Sequence, residues 1–456
     1  MPRKPIGDIA PGRIPGETLA RQFDDIAPPL DRHSALIAAQ RCLYCYDAPC
    51  IQACPTGIDI PSFIKRITTD NLRGAAHDIL SANIFGGMCA RVCPTEILCE
   101  GSCVRNTGES APVQIGALQR YATDWVYRDN AVLFQRAADS GHRVAVVGAG
   151  PAGLACAHAL SMAGHQVTVF DAKEKAGGLN EYGIAAYKVL DFAATEIAWL
   201  LSIGGITLEP GRRLGENLAL ADLRRDFDAV FLGLGLAGVN ALGIEGESMP
   251  GVYNAVDFIA ALRQSGDKSQ LPVGRRVVVI GGGNTAIDAA VQSKKLGAET
   301  VSMVYRRGAA SMSATHVEQA FAKEEGVHVI EWAQPRRILS ANGTVSGIEF
   351  EYTQLDDAGR LLGTGDLMQL DADVILKAIG QALLVPAPEA GASDVLEVKG
   401  GRIVVNADFE TSVRGVWAGG DCVGGHVDLT VQSVEDGKRA ARAIDRALTQ
   451  RRQKAA

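Results

Sequence analysis

Cysteines crowd one stretch of this chain: Cys42, Cys45, Cys50 and Cys54, then Cys89, Cys93, Cys99 and Cys103. The first four are spaced C-x2-C-x4-C-x3-C-P. That is the bacterial ferredoxin run with two residues added between its second and third cysteines, and thiolates so close together suit a compact iron–sulfur cluster. A cysteine followed by proline, as at Cys54-Pro55, often turns away to ligate a second cluster, and Cys93-Pro94 repeats the pattern. Zinc is the rival metal. Its usual sign is paired C-x2-C groups, and only one is present, Cys42 to Cys45.

A second chemistry lies in two glycine turns. Residues 144–147 read as a buried parallel strand, followed by Gly148-Ala149-Gly150-Pro151-Ala152-Gly153, a helix to about residue 163, a strand over 166–170, and then Asp171. A G-x-G-x-x-G after a strand and before a helix, with an acid about twenty residues on, is a dinucleotide site. The helix N-terminus offers free N–H groups to the pyrophosphate, and the acid accepts from a ribose hydroxyl. The pattern recurs: a strand over 276–280, the turn Gly281-Gly282-Gly283-Asn284-Thr285-Ala286, a helix to about 296, and a strand over 300–305. Arg306-Arg307 then stands where an NAD site places a carboxylate, and a guanidinium pair suits a 2′-phosphate. This favours NADP, with NAD as the alternative. A solvated strand end is the bland reading of the same pair. A third strand-and-turn, Val416-Trp417-Ala418-Gly419-Gly420-Asp421, precedes a helix carrying Glu435, Gly437 and Lys438.

The elements that position these groups follow. A chain of 456 residues exceeds one core and implies about three domains. Residues 1–40 read as a proline-bearing lead-in ending in a helix over 34–40, with no apolar signal segment at its start. Helices are expected over 60–67, 72–80 and 116–127, between and after the cysteine groups. A net charge of −7 gives no reason to expect nucleic acid or an anionic membrane as partner. The apolar stretch from 144 to 169 is broken by Pro151, His158, His165 and glycines, so it is no membrane span. Ten cysteines in a long chain, mostly in one segment, fit a reducing cytoplasm better than a disulfide scaffold.

Two dinucleotide folds with a return segment resemble the flavoprotein disulfide-reductase fold, in which the nicotinamide domain is inserted into the flavin domain. The redox C-x-x-C beside the flavin is missing here, since the remaining cysteines are the distant Cys156 and Cys422. Electrons must leave another way, and the cysteine segment is the obvious exit. The expected class is α/β: an α-helical iron–sulfur domain over 1–140, an FAD domain over 141–255 and 385–456, and an NAD(P)H domain over 256–384.

The stretches CYDAPCIQACPTGIDIPSFI, CARVCPTEILCEGSC, QIGALQRYATD, Arg306-Arg307-Gly308 and WAGGDCVGG resemble the electron-input half of the NAD(P)-dependent dihydropyrimidine dehydrogenase family. The glutamate synthase small subunit is similar overall. The resemblance implies two interleaved [4Fe–4S] clusters, one on Cys42, Cys45, Cys50 and Cys103, the other on Cys54, Cys93, Cys99 and Gln119. Cys89 is then a non-ligand and reads, with Cys156 and Cys422, as a buried small hydrophobe. For Gln119 the bland reading is a polar residue on a helix face. FAD contacts implied are Ala149, Gly150, Pro151, Gly153, Asp171, Gly178, Leu179, Lys188, Leu214, Asp421 and Thr430. NADP contacts implied are Gly283, Asn284, Thr285, Arg306, Arg307, Ala378, Ile379 and Gly380. Asp171 stands in place of the family's more usual Glu, Lys188 in place of an Arg, and Ser313 in place of a third basic residue of the phosphate site.

The resemblance also implies the activity. NADPH gives a hydride to FAD, with no catalytic acid or base, and the electrons pass singly through the clusters. The full-length family enzyme continues into an FMN-bearing (β/α)8 barrel with further clusters, where uracil or thymine is reduced. The expected partner is therefore a separate FMN/iron–sulfur barrel subunit, in a heterotetramer. A glutamate synthase-like acceptor is the nearest alternative, and an assembly subunit stapled by zinc or clusters is the alternative of another class.

Overall fold

The computed structural model describes residues 14–109, 111–189, 191–271, 273–384, 395–425 and 427–455. The first thirteen residues of the lead-in lie outside them. The chain divides into two compact units. One comprises Ala27–Glu181, Asp191–Ala237 and Leu383–Ala456, and the other the residues up to Ile26, Tyr182–Leu190 and Gly238–Ala382.

The cysteine segment, in the first unit, folds as short helices: Arg32–Gln40 (α1), Ile60–Thr68 (α2), Leu72–Ala82 (α3), Gly86–Val92 (α4) and Ile115–Arg128 (α5). Side-chain caps start the first three. Asp31, Asp59 and Asn71 accept the N–H groups of Ser34, Ser62 and Gly74. α2 buries Ile60, Phe63, Ile64 and Ile67, the i, i+3, i+4, i+7 stripe of an amphipathic helix. Each such side chain contributes roughly 1.5–3 kcal/mol on burial. α4 ends at Val92 because Cys93 precedes a proline, which drives it out of the helical region to φ −64°, ψ 135°.

The same unit then forms an open parallel sheet. Arg143–Val147 (β1) leads through the helix Pro151–Met162 (α6) to Gln166–Phe170 (β2). Phe192–Leu201 (α7) follows, then Ile206–Glu209 (β3) and Ala229–Leu232 (β4).

In the second unit Val252–Asn254 (β5), Arg276–Ile280 (β6), the helix Asn284–Lys295 (α8), Thr300–Val304 (β7) and His328–Ile330 (β8) build a second open sheet. An antiparallel meander follows, Ala333–Ala341 (β9), Thr344–Leu355 (β10) and Leu361–Asp371 (β11), before Val374–Lys377 (β12) returns to that sheet. The chain then re-enters the first unit with Val416–Ala418 (β13) and the long helix Thr430–Ala455 (α9).

The first sheet has the order β13-β4-β1-β2-β3 and the second β5-β12-β6-β7-β8. All pairings in both are parallel. In each, the strand order reverses beside the strand that carries a glycine turn, and ligands of open α/β sheets bind in the crevice there. The expected α/β class with a helical N-terminal layer is what the chain adopts. No helix among the described residues is long and apolar enough to cross a membrane.

Candidate functional site

The eight clustered cysteines divide between two cavities. Cys42, Cys45, Cys50 and Cys103 line the first, with Leu43, Ile60 and Arg105 among their neighbours. Cys54, Cys93, Cys99 and Gln119 line the second, with Cys89, Asn83 and Val431. Ile60, the first residue of α2, lines both. The sets interleave because Cys54-Pro55 leaves the first run and Cys103 leaves the second. Burial pushes the Cys50 thiol up to about 11 and raises those of Cys42 and Cys99 as well. Cys93 is raised first by its hydrogen bond with Cys89, then by burial. Such thiols stay protonated until a metal displaces the proton, and soft thiolates gathered round an apolar void are the donor set of an iron–sulfur cage. Among the described residues no three His, Cys, Asp or Glu side chains converge tightly enough to hold one ion.

Local bonds fix the ligand-bearing loops. Arg41 donates to the carbonyls of Ala111 at 2.6 Å and Pro112 at 2.7 Å, and pairs with Glu109 at 3.1 Å. Arg105 donates to the Arg41 carbonyl and pairs with the same Glu109, which ties the start of the Cys42 loop to the chain beyond Cys103. Tyr44 and Ala48 have φ of 52° and 34°, left-handed values that bend the loop between the cysteines. Glu100, beside Cys99, accepts the Gly116 N–H at 2.9 Å and so positions the first turn of α5. On α5, Gln119 donates Nε2 to the Gly86 carbonyl at 2.6 Å, which leaves Oε1 as the end without a partner among the described residues. Cys89 is buried as expected, yet it too lines the second cavity. Cys156 on α6 and Cys422 after β13 are fully buried, and neither lines a cysteine cavity.

A carboxylate absent from the sequence reading joins the helical layer to the first sheet. Glu196 on α7 is wholly buried and accepts the N–H groups of Gly87 at 2.8 Å and Met88 at 3.1 Å, at the N-terminus of α4. Tyr127 on α5 donates its hydroxyl to the same carboxylate at 2.8 Å. Arg91, stacked 3.6 Å from the Phe192 ring, pairs with Asp124 at 2.7 Å. Only a contact between residues 109 positions apart reveals this cap, and no local pattern announces it. Burial pushes the Glu196 carboxyl up to about 7 against those hydrogen bonds. A raised folded-state value means the native protein holds this proton more tightly than the unfolded chain. Its contribution is therefore complete below the ordinary carboxyl value and is lost as pH rises to about 7. Across that window the loss is of order 3 kcal/mol. Glu196→Gln is expected to flatten the melting temperature between pH 5 and 8, and a decline as steep as the wild type's would assign it to other groups.

The first glycine turn closes as expected. Gly153 packs so near the preceding turn that a Cβ there would lie 1.8 Å from the Gly148 carbonyl, so any side chain would break the approach of α6. Gly150 caps α6 and Pro151 opens it. Asp171 at the end of β2 accepts the Ala149 N–H at 2.6 Å and the Lys173 N–H at 2.7 Å, and each oxygen keeps a lone pair for a hydroxyl. Gly178 lies against Gly150, and next to Leu179 the buried Asn180 accepts the Thr430 hydroxyl at 2.9 Å. The Asn180 amide Nδ2 is buried without a partner in the described structure. Asp421, after β13, accepts the Ser433 hydroxyl at 2.9 Å, and Leu214 forms a bridge with Leu218. The contacts of Asp171 and Gly178 gather at the glycine turn after β1. Lys188 belongs to the second unit, where it pairs with Asp288 at 2.8 Å and Glu318 at 2.7 Å.

In the second unit Gly283 caps α8, so Asn284 and Thr285 form its first turn. Gly281, at φ +147°, admits no Cβ because the Ala378 carbonyl would lie 2.2 Å away. Ala378 donates its N–H to Ile280 at 2.8 Å, and Asn240 bonds the carbonyls of Ile379 and Gly380. Beyond β7, Arg306 is exposed and Arg307 half-buried, and neither guanidinium has an ion-pair partner among the described residues. Ser313 sits against Gly283. Two cations without ion-pair partners at the end of β7 suit an anionic ribose phosphate.

The pyridine nucleotide-disulphide oxidoreductase family model matches residues 142–437. The chain belongs to that family. A second model, dihydropyrimidine dehydrogenase domain II, 4Fe–4S cluster, matches residues 19–131. Among curated relatives, the glutamate synthase [NADPH] small chain of Escherichia coli (strain K12) is 34% identical over 96% of both chains. The NAD-dependent dihydropyrimidine dehydrogenase subunit PreT of Salmonella typhimurium is 33% identical over 92% of this chain and 96% of its own. Among solved structures, FprA of Mycobacterium tuberculosis in complex with NADPH is 18% identical, with a TM-score of 0.58 over 69% of this chain and 86% of its own. At that identity the likeness is one of fold. The chain is therefore an oxidoreductase with 4Fe–4S, FAD and pyridine-nucleotide cofactors.

Proposed function

We propose that this chain is the electron-input subunit of a dihydropyrimidine dehydrogenase. In this reading Cys42, Cys45, Cys50 and Cys103 hold one [4Fe–4S] cluster, and Cys54, Cys93, Cys99 and Gln119 hold another. Ala149 to Gly153, Asp171, Gly178, Leu179, Asp421 and Thr430 cradle FAD. Gly283 to Thr285, Arg306, Arg307 and Ala378 to Gly380 cradle NADPH, with NADH as the alternative. When bound, FAD would supply hydride acceptance from the nucleotide and the clusters would supply single-electron transfer. The chain's own groups orient and insulate, and no side chain transfers a proton.

One observation carries the reading. Thr430, beside the flavin turn, is followed on α9 by Val431, which lines the second cysteine cavity. Ile60 is common to that cavity and the first. The first is bordered by the exposed Leu43, which is followed directly by the exposed Tyr44 and, three residues on, by Tyr46. These residues support a route from flavin turn to surface through both cavities, with Tyr46 fully exposed in the loop after Cys45. Lys438 of α9 holds the route together, donating to the carbonyls of Ala82 at 2.7 Å and Thr56 at 3.2 Å.

The proposed acceptor is an FMN-containing iron–sulfur (β/α)8-barrel subunit that reduces uracil or thymine, joined to this chain in a cytoplasmic heterotetramer. A glutamate synthase acceptor is the second reading, favoured by the 34% identity to that small chain. Co-expression with a candidate barrel subunit decides between them. Uracil-dependent NADPH oxidation by the co-purified pair is expected. Oxidation driven by glutamine and 2-oxoglutarate instead, with uracil inert, would transfer the chain to the second reading.

A further inference from the structure

Asn83 follows the last turn of α3 and is wholly buried. Its backbone N–H closes the helix on the Ile79 carbonyl at 2.8 Å, and its Oδ1 accepts the Phe85 N–H at 3.0 Å. The second bond fixes the amide's orientation, because the flipped amide would set an NH2 against an N–H. Nδ2 is therefore turned away from Phe85, and among the described residues it has no acceptor. Buried donors left so are rare in native folds and ask for a missing partner. Asn83 lines the cavity of Cys54, Cys93, Cys99 and Gln119.

The other polar groups around that cavity are committed. Gln119 Nε2 donates to Gly86, the Thr56 hydroxyl is bonded with Cys54, and the Thr95 hydroxyl bonds Glu100. No side chain lining the other cysteine cavity carries a buried orphan donor among the described residues, and its Arg105 is spent on Arg41 and Glu109. The two cavities thus differ by one free N–H.

We propose that the Asn83 side-chain amide donates a hydrogen bond to a sulfur of the cluster held in the second cavity and raises that cluster's reduction potential. An added electron places negative charge on the sulfurs, and an N–H aimed at them stabilises the reduced form more than the oxidised one. The donor serves the cavity that α9 reaches from the flavin turn, which makes this cluster the readier acceptor. The inference rests on the reading that this cavity holds an iron–sulfur cluster.

The test uses the full anaerobic holoprotein. Iron and acid-labile sulfide are measured first, and each cluster's EPR signal is followed through a redox titration. The signal lost in Cys99→Ala identifies the second cavity. In Asn83→Leu, which removes the donor at similar volume, that signal is expected to titrate at lower potential while the other stays in place. Unshifted titration at full iron content overturns the proposal. Should the variant fail to load, electron–nuclear double resonance on wild-type protein carrying 15N-asparagine replaces it. A 15N coupling on the second-cavity signal is expected, since Asn83 is the one asparagine lining that cavity, and its absence overturns the proposal. Wild-type protein without iron would sink the reading of the site itself, and the proposal with it.

Discussion

A Cys99→Ala protein is expected to keep its flavin but lose about half of its iron, because one of two equal cages goes. Electron delivery from NADPH to the partner subunit should fall at least ~100-fold, while reduction of the flavin itself changes less than about 2-fold. The asymmetry follows from placement. Cys99 lines only the cavity that α9 approaches, so its loss cuts the route between flavin turn and first cavity without touching the glycine turn after β1. The same assay separates Cys89 from Gln119. Cys89→Ala should retain full iron and Gln119→Leu should lose it, because Gln119 has its amide nitrogen anchored on Gly86. Full iron in both Cys99→Ala and Gln119→Leu would refute the assignment of the second cavity. Iron lost in Cys89→Ala alone would move the fourth ligand to that cysteine.

The second large effect is expected at the nucleotide site. Arg306→Ala combined with Arg307→Ala should raise the KM for NADPH at least ~100-fold and leave that for NADH within about 2-fold, since charge-assisted bonds to a phosphate contribute roughly 1.5–3 kcal/mol each. Both guanidinium groups are unpaired in the described structure, so no internal ion pair is broken by the change and stability should hold. The choice is open to measurement because one relative is named as NADPH-linked and another as NAD-dependent. Steady-state kinetics with ferricyanide as acceptor reads the hydride step alone. Equal loss with both nucleotides would show that the pair supports the loop and does not read the 2′-phosphate.

Much of the fold was legible because the informative residues are local. Strand–glycine turn–helix is a contiguous pattern, and both copies formed with strands at the expected residues, β1, β2 and β6 among them. The caps at Asp31, Asp59 and Asn71 sit where the helical stripes begin. The antiparallel meander β9–β11 gave no such signal. Pro335 interrupts β9, the register shifts twice in its pairing with β10, and β11 is largely exposed and lacks an apolar face. The short helix α4 was hidden for another reason. It begins with two glycines, poor helix formers, and its N-terminus is held by Glu196 from far along the chain. The same limit applies at the cavities. Spacing told which residues could ligate, but only the fold brought Asn83, Val431 and Ile60 to them.

The measurement that bears most directly on the account is anaerobic reduction of the full-length protein by NADPH, with iron, acid-labile sulfide and flavin quantified on the same sample. The account predicts stoichiometric FAD, iron and sulfide for two four-iron clusters, bleaching of the flavin absorbance, and two distinct low-temperature EPR signals. Flavin that bleaches in protein devoid of iron and sulfide, with no paramagnetic signal from the cysteine segment, would contradict it.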